Sequence, residues 1–413
     1  MNRKHPKRFA DDEMDQDGTL EEGNPYSRPH SRGRRRTPRV PKWVYRVVVI
    51  LALCVAGMLL WFNRANLTPE NILEWMQVQT VGMGVGDGYP TPIVGSSVEK
   101  GNFYCRNKDL YVLSDTRLTV LNSTARELVS RQHSFGAPAM KSAGSRVMVY
   151  NIGGTGYQIE GFSDTLFSGN TEENIFTADI SGNGKYALVT EDRGYCAKLT
   201  VYFPDHTEQY SYEFADYYIT DISLNRDGSR AAACGISAQN GAVVSAVYFF
   251  DFNNPAAETV VTFDSTTLLD VEYCENGSVI VVGDTMVSVV SSDGEHTDYS
   301  FQGQRISAYA VDNGRVLLAL MPYENSISSR LVIVGENGQE TMSAELAYPV
   351  SSVSLYGDTA AALANSQIYF YTVSTGTVLG EADSGSDARA IALMDEQNAY
   401  VLGVSEIRRA AVP

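Results

Sequence analysis

Four stretches decide the fold: FTADISGNGKYALVT (176–190), YITDISLNRDGSRAAAC (218–234), LLDVEYCENGSVIVVG (268–283) and ISAYAVDNGRVLLAL (306–320). Each is an apolar run, a polar turn with Gly, and a second apolar run, with one or two more such runs before the next copy. Ser351 to Ala364 repeats the pattern, and weaker copies centre on Asn107 and Gln397. The turn positions Gly144, Gly184, Gly228, Gly277, Gly314 and Gly357 lie 40, 44, 49, 37 and 43 residues apart. A period near 40 built from strands and turns, without helical periodicity, predicts an all-β fold, a β-propeller whose radial blades leave only short edges. The count is eight blades, with seven as the alternative. The last copy has strands near Arg389–Leu393 and Ala399–Gly403, and only Ser405–Val412 remains for a third. The segment Pro92–Val98 is therefore expected to supply its outer strand, closing the ring with both ends of residues 92–413 in one blade.

Working outward, the 413 residues carry a formal charge of -17, unevenly placed. Residues 1–46 hold 12 Lys/Arg against 7 Asp/Glu, and the remainder holds 20 against 42, a net of -22. So acidic a body repels phosphate backbones, which argues against nucleic acid as a partner and favours cationic ones.

From Val47 to Phe62 the chain reads VVVILALCVAGMLLWF, and with Trp43 to Arg46 the run reaches 20 residues. At 1.5 Å per residue that covers a hydrocarbon core of about 30 Å, so 43–62 is expected to be a transmembrane helix. Arg28, Arg32, Arg34, Arg35, Arg36, Arg39 and Lys42 precede it and a single Arg64 follows, which puts the N-terminus in the cytoplasm and the rest outside the cell. Asn63-Arg64-Ala65 fits a signal-peptidase site poorly, Leu53 is too large before a lipoprotein Cys54, and Thr37-Pro38-Arg39 lacks the apolar residues of a twin-arginine signal; an uncleaved anchor is expected. Residues 1–42 have too few aliphatic side chains to repay chain entropy and read as a disordered cytoplasmic tail. The acidic stretch from Glu13 to Gly18 departs from a calcium loop at its first and twelfth positions and reads as a solvated run. Between anchor and propeller (63–91), Thr68-Pro69-Glu70 starts a short helix, and the glycines from Gly82 to Gly88 read as a flexible joint, matching no phosphate-loop spacing.

All three Trp residues (Trp43, Trp61, Trp75) precede the repeats. This argues against quinone-cofactor propellers with Trp-docked blades and against repeats ending in Trp-Asp or Asp-box Trp. The strand, Asp-Gly turn, basic residue and apolar strand of Asn225 to Ala232 resemble TolB-like and WD40-like bacterial propellers. In addition, Gly86-Asp87-Gly88-Tyr89-Pro90, LSDTRLTVLN (113–122), GGTGYQIEG (153–161), YYITDIS (217–223), GSDARAIAL (385–393) and VLGVSEIRR (401–409) resemble an uncharacterised family of single-pass membrane-anchored β-propeller proteins of Gram-positive bacteria, carrying a domain-of-unknown-function label. The resemblance implies fold and location and brings no catalytic residues.

Chemistry is sparse. His133, His206 and His296 fall in different copies without a second His or Cys at ligand spacing, so no metal site and no cofactor is read. His206, in Pro204-Asp205-His206-Thr207, reads as an exposed turn residue, and no G-x-S-x-G elbow occurs. Cys105, Cys196, Cys234 and Cys274, each beside apolar neighbours, read as buried free thiols in preference to a disulfide framework. One polar feature repeats: Asp179, Asp221 and Asp270 occupy the same place in three successive copies, each before Ile or Val in the innermost strand. Converging on the central channel they would form a carboxylate ring attractive to a cation or basic ligand. Alternatively each accepts backbone N–H bonds from the adjoining loop. The function expected is a non-enzymatic scaffold of the cell envelope that binds a protein or peptide. The alternatives are a hydrolase or lyase at the channel mouth and a receptor signalling to the tail.

Overall fold

The computed structural model describes residues 42–62 and 85–412. The tail before Lys42, the helix start at Thr68 and the glycines at 82 and 84 lie outside the described residues. Residues Lys42–Phe62 form one α-helix, whose described side chains from Val47 to Val55 are exposed apolar groups. Counting described residues only, no helix is long and apolar enough to cross a membrane. Several positions within Lys42–Phe62 fall outside that count.

The second unit folds as eight four-stranded antiparallel sheets, so the count of eight holds. Blade 1 runs from Val98 to Gln132, blade 2 from Pro138 to Asn170, blade 3 from Ile175 to Phe214 and blade 4 from Tyr218 to Asp264. Blade 5 runs from Leu268 to Ser300, blade 6 from Arg305 to Leu346, blade 7 from Val350 to Asp383, and blade 8 from Ala390 to Ala411. Blade 8 takes its fourth strand from Thr91–Pro92, with Thr91 opposite Ile407 and Pro92 opposite Glu406. The ring therefore closes as expected, with an outer strand earlier and shorter than Pro92–Val98.

The repeat period is enforced at the turn between first and second strands. Gly144, Gly184, Gly228, Gly277, Gly314 and Gly357 all have positive φ, and Asn107 and Lys108 take that conformation in blade 1. A side chain there would be strained, and at Gly357 (φ 55°) a Cβ would also lie 2.5 Å from a Glu396 oxygen of the next blade.

Packing follows the same period. Eight apolar clusters fill the eight seams between neighbouring blades. The seam between blades 3 and 4 is aromatic, with Phe214 edge-on to Tyr248 at 5.1 Å and 85°. Closure is sealed by Phe103 and Leu110 of blade 1 against Tyr400 and Ile407 of blade 8. Tyr and Phe thus supply here the large buried rings that Trp supplies in other propellers.

One expectation is revised. Within the glycine run, Gly86 N–H bonds the Thr124 hydroxyl at 2.8 Å and Gly88 N–H the Thr124 carbonyl at 3.1 Å. A Cβ on Gly86 would lie 2.3 Å from that carbonyl oxygen. The described part of the run is a docked strap, with glycine required for its close approach.

Candidate functional site

The innermost strand of each blade has one edge without a strand partner, so its inward backbone N–H groups need other acceptors. Side chains of the preceding blade provide them. Asp179 accepts from Leu224 N–H at 2.7 Å, Asp221 from Val271 N–H at 3.4 Å and Ser223 from Tyr273 N–H at 3.0 Å. Across the ring, Ser352 accepts from Ile391 N–H at 3.2 Å and Ser354 from Leu393 N–H at 2.9 Å. Asp179 and Asp221 therefore do accept backbone N–H bonds, and the donors belong to the next blade's inner strand instead of a loop.

The structure also corrects the alignment of the three aspartates. A one-residue bulge interrupts the pairing of first and second strands just before Thr177, Asp221 and Asp270 in blades 3, 4 and 5. Thr177 is thus the counterpart of Asp221 and Asp270, while Asp179 stands two residues on, level with Ser223 and Glu272. The shared Asp-Ile-Ser wording of blades 3 and 4 concealed this two-residue offset.

The three do gather at the channel, around a residue the repeat pattern missed. Lys141, on the inner strand of blade 2 (Pro138–Ala143), places Nζ 3.4 Å from Asp221 Oδ2, and Thr177 donates its hydroxyl to Asp221 Oδ1 at 2.9 Å. Asp270 acts electrostatically on both Asp221 and Tyr309 of blade 6, raising the pKa of each. The polar chain thus runs through the inner strands of blades 2 to 6. Lys141 stands where a bound cation would sit in a carboxylate ring.

The electrostatics follow from one lysine among several acids. Burial lifts the Asp221 carboxyl, Lys141 opposes the rise and Asp270 adds to it, leaving it at about 7. Glu272 is likewise lifted to about 7 by burial and by Asp270, against Lys141. Burial would depress Lys141, but Asp221, Asp270 and Asp179 outweigh it and hold its ammonium well above the usual range. Its side chain keeps 34% of its surface open to the channel, so this is the desolvation of a lined passage and not of a sealed core. Beside the cluster lies a cavity of about 1120 Å³, lined by Asp270 and Glu272 of blade 5, Tyr309 of blade 6, Ser352 and Ser354 of blade 7, and Ala392 of blade 8. Lys100 of blade 1 bonds the Ser351 carbonyl of blade 7 at 2.7 Å, and Arg106 bonds the Ser142 carbonyl of blade 2.

Among the described residues, no group of three His, Cys, Asp or Glu could hold a metal ion. His206 is a half-buried packing residue and not a plain exposed turn: its ring stacks 3.8 Å from Phe167 and its Nδ1 lies 3.3 Å from the Tyr186 hydroxyl. All the cysteines are free, but burial is as expected only for Cys234 and Cys274; Cys105 and Cys196 are half-buried.

The rims differ. Each blade's second-to-third turn and its connection to the next blade lie at one rim, and the other two turns at the opposite rim. The first rim carries exposed Ile152, Tyr195, Tyr218, Leu269, Tyr323, Ile327, Tyr348 and Val404, with Tyr218 at 59% and Ile327 at 77%. The opposite rim carries two exposed aromatic rings, Phe203 and Tyr356, together with Leu166, Val260, Val378 and Leu379 at the starts of outer strands, so among the described residues the rims differ chiefly in their tyrosines, four on the first against one on the second.

Residues 93–408 match the model of a family of unknown function, DUF5711. The chain belongs to the DUF5711 family. No curated protein matches it in sequence. Among solved structures it is similar to the C-terminal WD40 domain of Sif2, at 11% identity and a TM-score of 0.55, covering 78% of this chain and 100% of that one. The quinohemoprotein alcohol dehydrogenase ADHIIG from Pseudomonas putida HK5 is similar at 7% identity and a TM-score of 0.55, covering 79% and 76%. A eukaryotic initiation factor is similar at 8% identity and a TM-score of 0.51, covering 81% and 89%. At such identities the likeness shows the propeller fold alone. The propeller of this DUF5711 member contains no Trp, so nothing in it repeats a Trp-docked quinone site.

Proposed function

We propose that this protein is a membrane-anchored scaffold of the cell envelope that binds a protein or peptide outside the cell through one rim of its propeller, without enzymatic activity. The observation that carries the reading is the set of tyrosines on the rim of the second-to-third turns, where Tyr195, Tyr218, Tyr323 and Tyr348 stand exposed among the described residues with Ile152, Leu269, Ile327 and Val404 beside them. The apolar run 47–62 and the basic residues before it support the anchor and the orientation. The enzyme alternative rests on the titratable channel cluster. Its carboxylates, however, already hold blades together through Val271, Leu224, Thr177 and Lys141.

Two measurements test the reading. Protease added to protoplasts should digest the region after Phe62 and spare the tail; cleavage of the tail alone would reverse the orientation. Replacing Tyr218, Tyr323 and Ile327 by Ser should abolish partner capture in the envelope at an unchanged melting temperature. Capture equal to the parent's would remove the rim from the proposal.

A further inference from the structure

The apolar rim has a charge pattern that narrows its partner. In the sector of blades 3 to 5 the rim connections contribute Glu191, Asp192, Asp216 and Asp284 against one base, Arg193. That base is already paired with Glu173 at 2.8 Å, so it leaves the sector's excess negative charge uncompensated. Set among these acids are the rings of Tyr195 and Tyr218 and the Leu269 side chain, all exposed. Glu191, Asp216 and Asp284 are exposed as well, and Asp216 lies two residues before Tyr218 at the head of the blade 4 inner strand.

Resting on the scaffold reading above, we infer that the rim of blades 3 to 5 binds a cationic segment of a partner protein, one that presents Lys or Arg side chains together with apolar ones. Tyrosine faces attract ammonium and guanidinium groups through the ring quadrupole, and flanking carboxylates add charge-assisted hydrogen bonds. The same surface disfavours the other occupants. An acidic or phosphorylated partner meets four carboxylates and a body of net -22, an anionic lipid surface meets the same repulsion, and a second copy brings an identical acidic rim. A purely apolar partner would desolvate those carboxylates without pairing them.

The test uses the full-length protein in its own cells, with a benzoylphenylalanine photocrosslinker replacing Tyr218 in one strain and Tyr323 in another. The crosslinked segment is read by mass spectrometry. The expected result is a crosslink from position 218 to a segment of net positive charge, with a yield that falls at least about tenfold in Glu191→Lys/Asp216→Lys and falls steeply with salt in the parent. The salt series needs no variant and decides the matter if the double variant folds poorly. A neutral or acidic segment, a second copy of this chain, or a yield indifferent to both charge reversal and salt would overturn the inference while leaving the scaffold reading in place. Absence of any crosslinked protein from both positions would overturn the two together.

Discussion

The Lys141 ammonium lies 3.4 Å from an Asp221 carboxylate oxygen although the residues are 80 positions apart and belong to blades 2 and 4, with blade 3 between them. The pair spans the width of a blade because inner strands converge on the channel, where a long side chain can reach past its neighbour. It ties three blades together through Thr177, and its geometry turns the channel into a shared electrostatic problem.

Removing Lys141 should therefore cost more than a surface ion pair. Lys141→Met leaves Asp221, Asp270 and Asp179 without their common countercharge and should lower stability by roughly 2 kcal/mol or more. That is below the range for a fully buried pair because part of Lys141 stays open to the channel. Asp221→Asn should cost less, since it also relieves repulsion with Asp270. Urea unfolding of both single variants and the double should show the double less destabilised than the sum.

The pH dependence has a definite sign. Asp221 and Glu272 have folded-state values raised to about 7, above those of an unfolded chain, so the folded protein holds more protons between roughly pH 4 and 7. Their contribution is complete below the unfolded values and is lost as pH rises through about 7. Each extra proton held corresponds to about 1.4 kcal/mol per pH unit over that window. Melting temperature should thus decline from pH 5 to pH 8, and Asp221→Asn should flatten the decline. A parent that gains stability over that range would contradict the assignment.

The repeat was legible because a turn that requires positive φ selects Gly, and Gly184, Gly228, Gly277, Gly314 and Gly357 print the period directly onto the sequence. Closure was legible from a shortage: the last copy lacked a strand and the segment before Val98 was left over. The site was legible only in part. Asp179, Asp221 and Asp270 advertise themselves through repeated wording, but the bulges that set their true levels leave no mark on composition. Lys141 belongs to a copy without the Asp motif, and its meaning depends on a neighbour two blades away. The apolar rim was hidden for a different reason: Tyr218 or Leu269 reads as an ordinary strand residue until the topology shows which end of the strand it occupies.

Calcium separates the carboxylate ring from the lysine-centred cluster. Because the Lys141 ammonium already occupies the convergence of the acids, calcium should leave the melting temperature unchanged in the parent and in the Asp179→Asn/Asp221→Asn/Asp270→Asn variant alike. A calcium-dependent rise in the parent that the triple variant loses would restore the cation-binding ring.

Closure makes the last prediction. Blade 8 is held by strands from the two ends of the propeller, so its two sources should be unequal in weight. Deleting 386–413 removes three strands, including Tyr400 and Ile407 of the closing seam, and exposes the apolar faces of blades 1 and 7. The deletion should abolish cooperative unfolding of the whole propeller, since each blade buries its faces only against neighbours. Tyr89→Ala tests the other end more gently. It loses a ring packed 5.2 Å from Tyr400 and a hydroxyl bonded to the Asn122 carbonyl at 3.0 Å, a cost of about 1–3 kcal/mol for a half-buried aromatic. Its effect should appear as a lower midpoint of a single transition, because the strap at Gly86 and Gly88 and the Thr91–Pro92 pairing remain. A second, earlier transition in Tyr89→Ala would mean that blade 8 unfolds by itself and that the ring is stable open; a midpoint equal to the parent's would mean that the strap contributes nothing to closure.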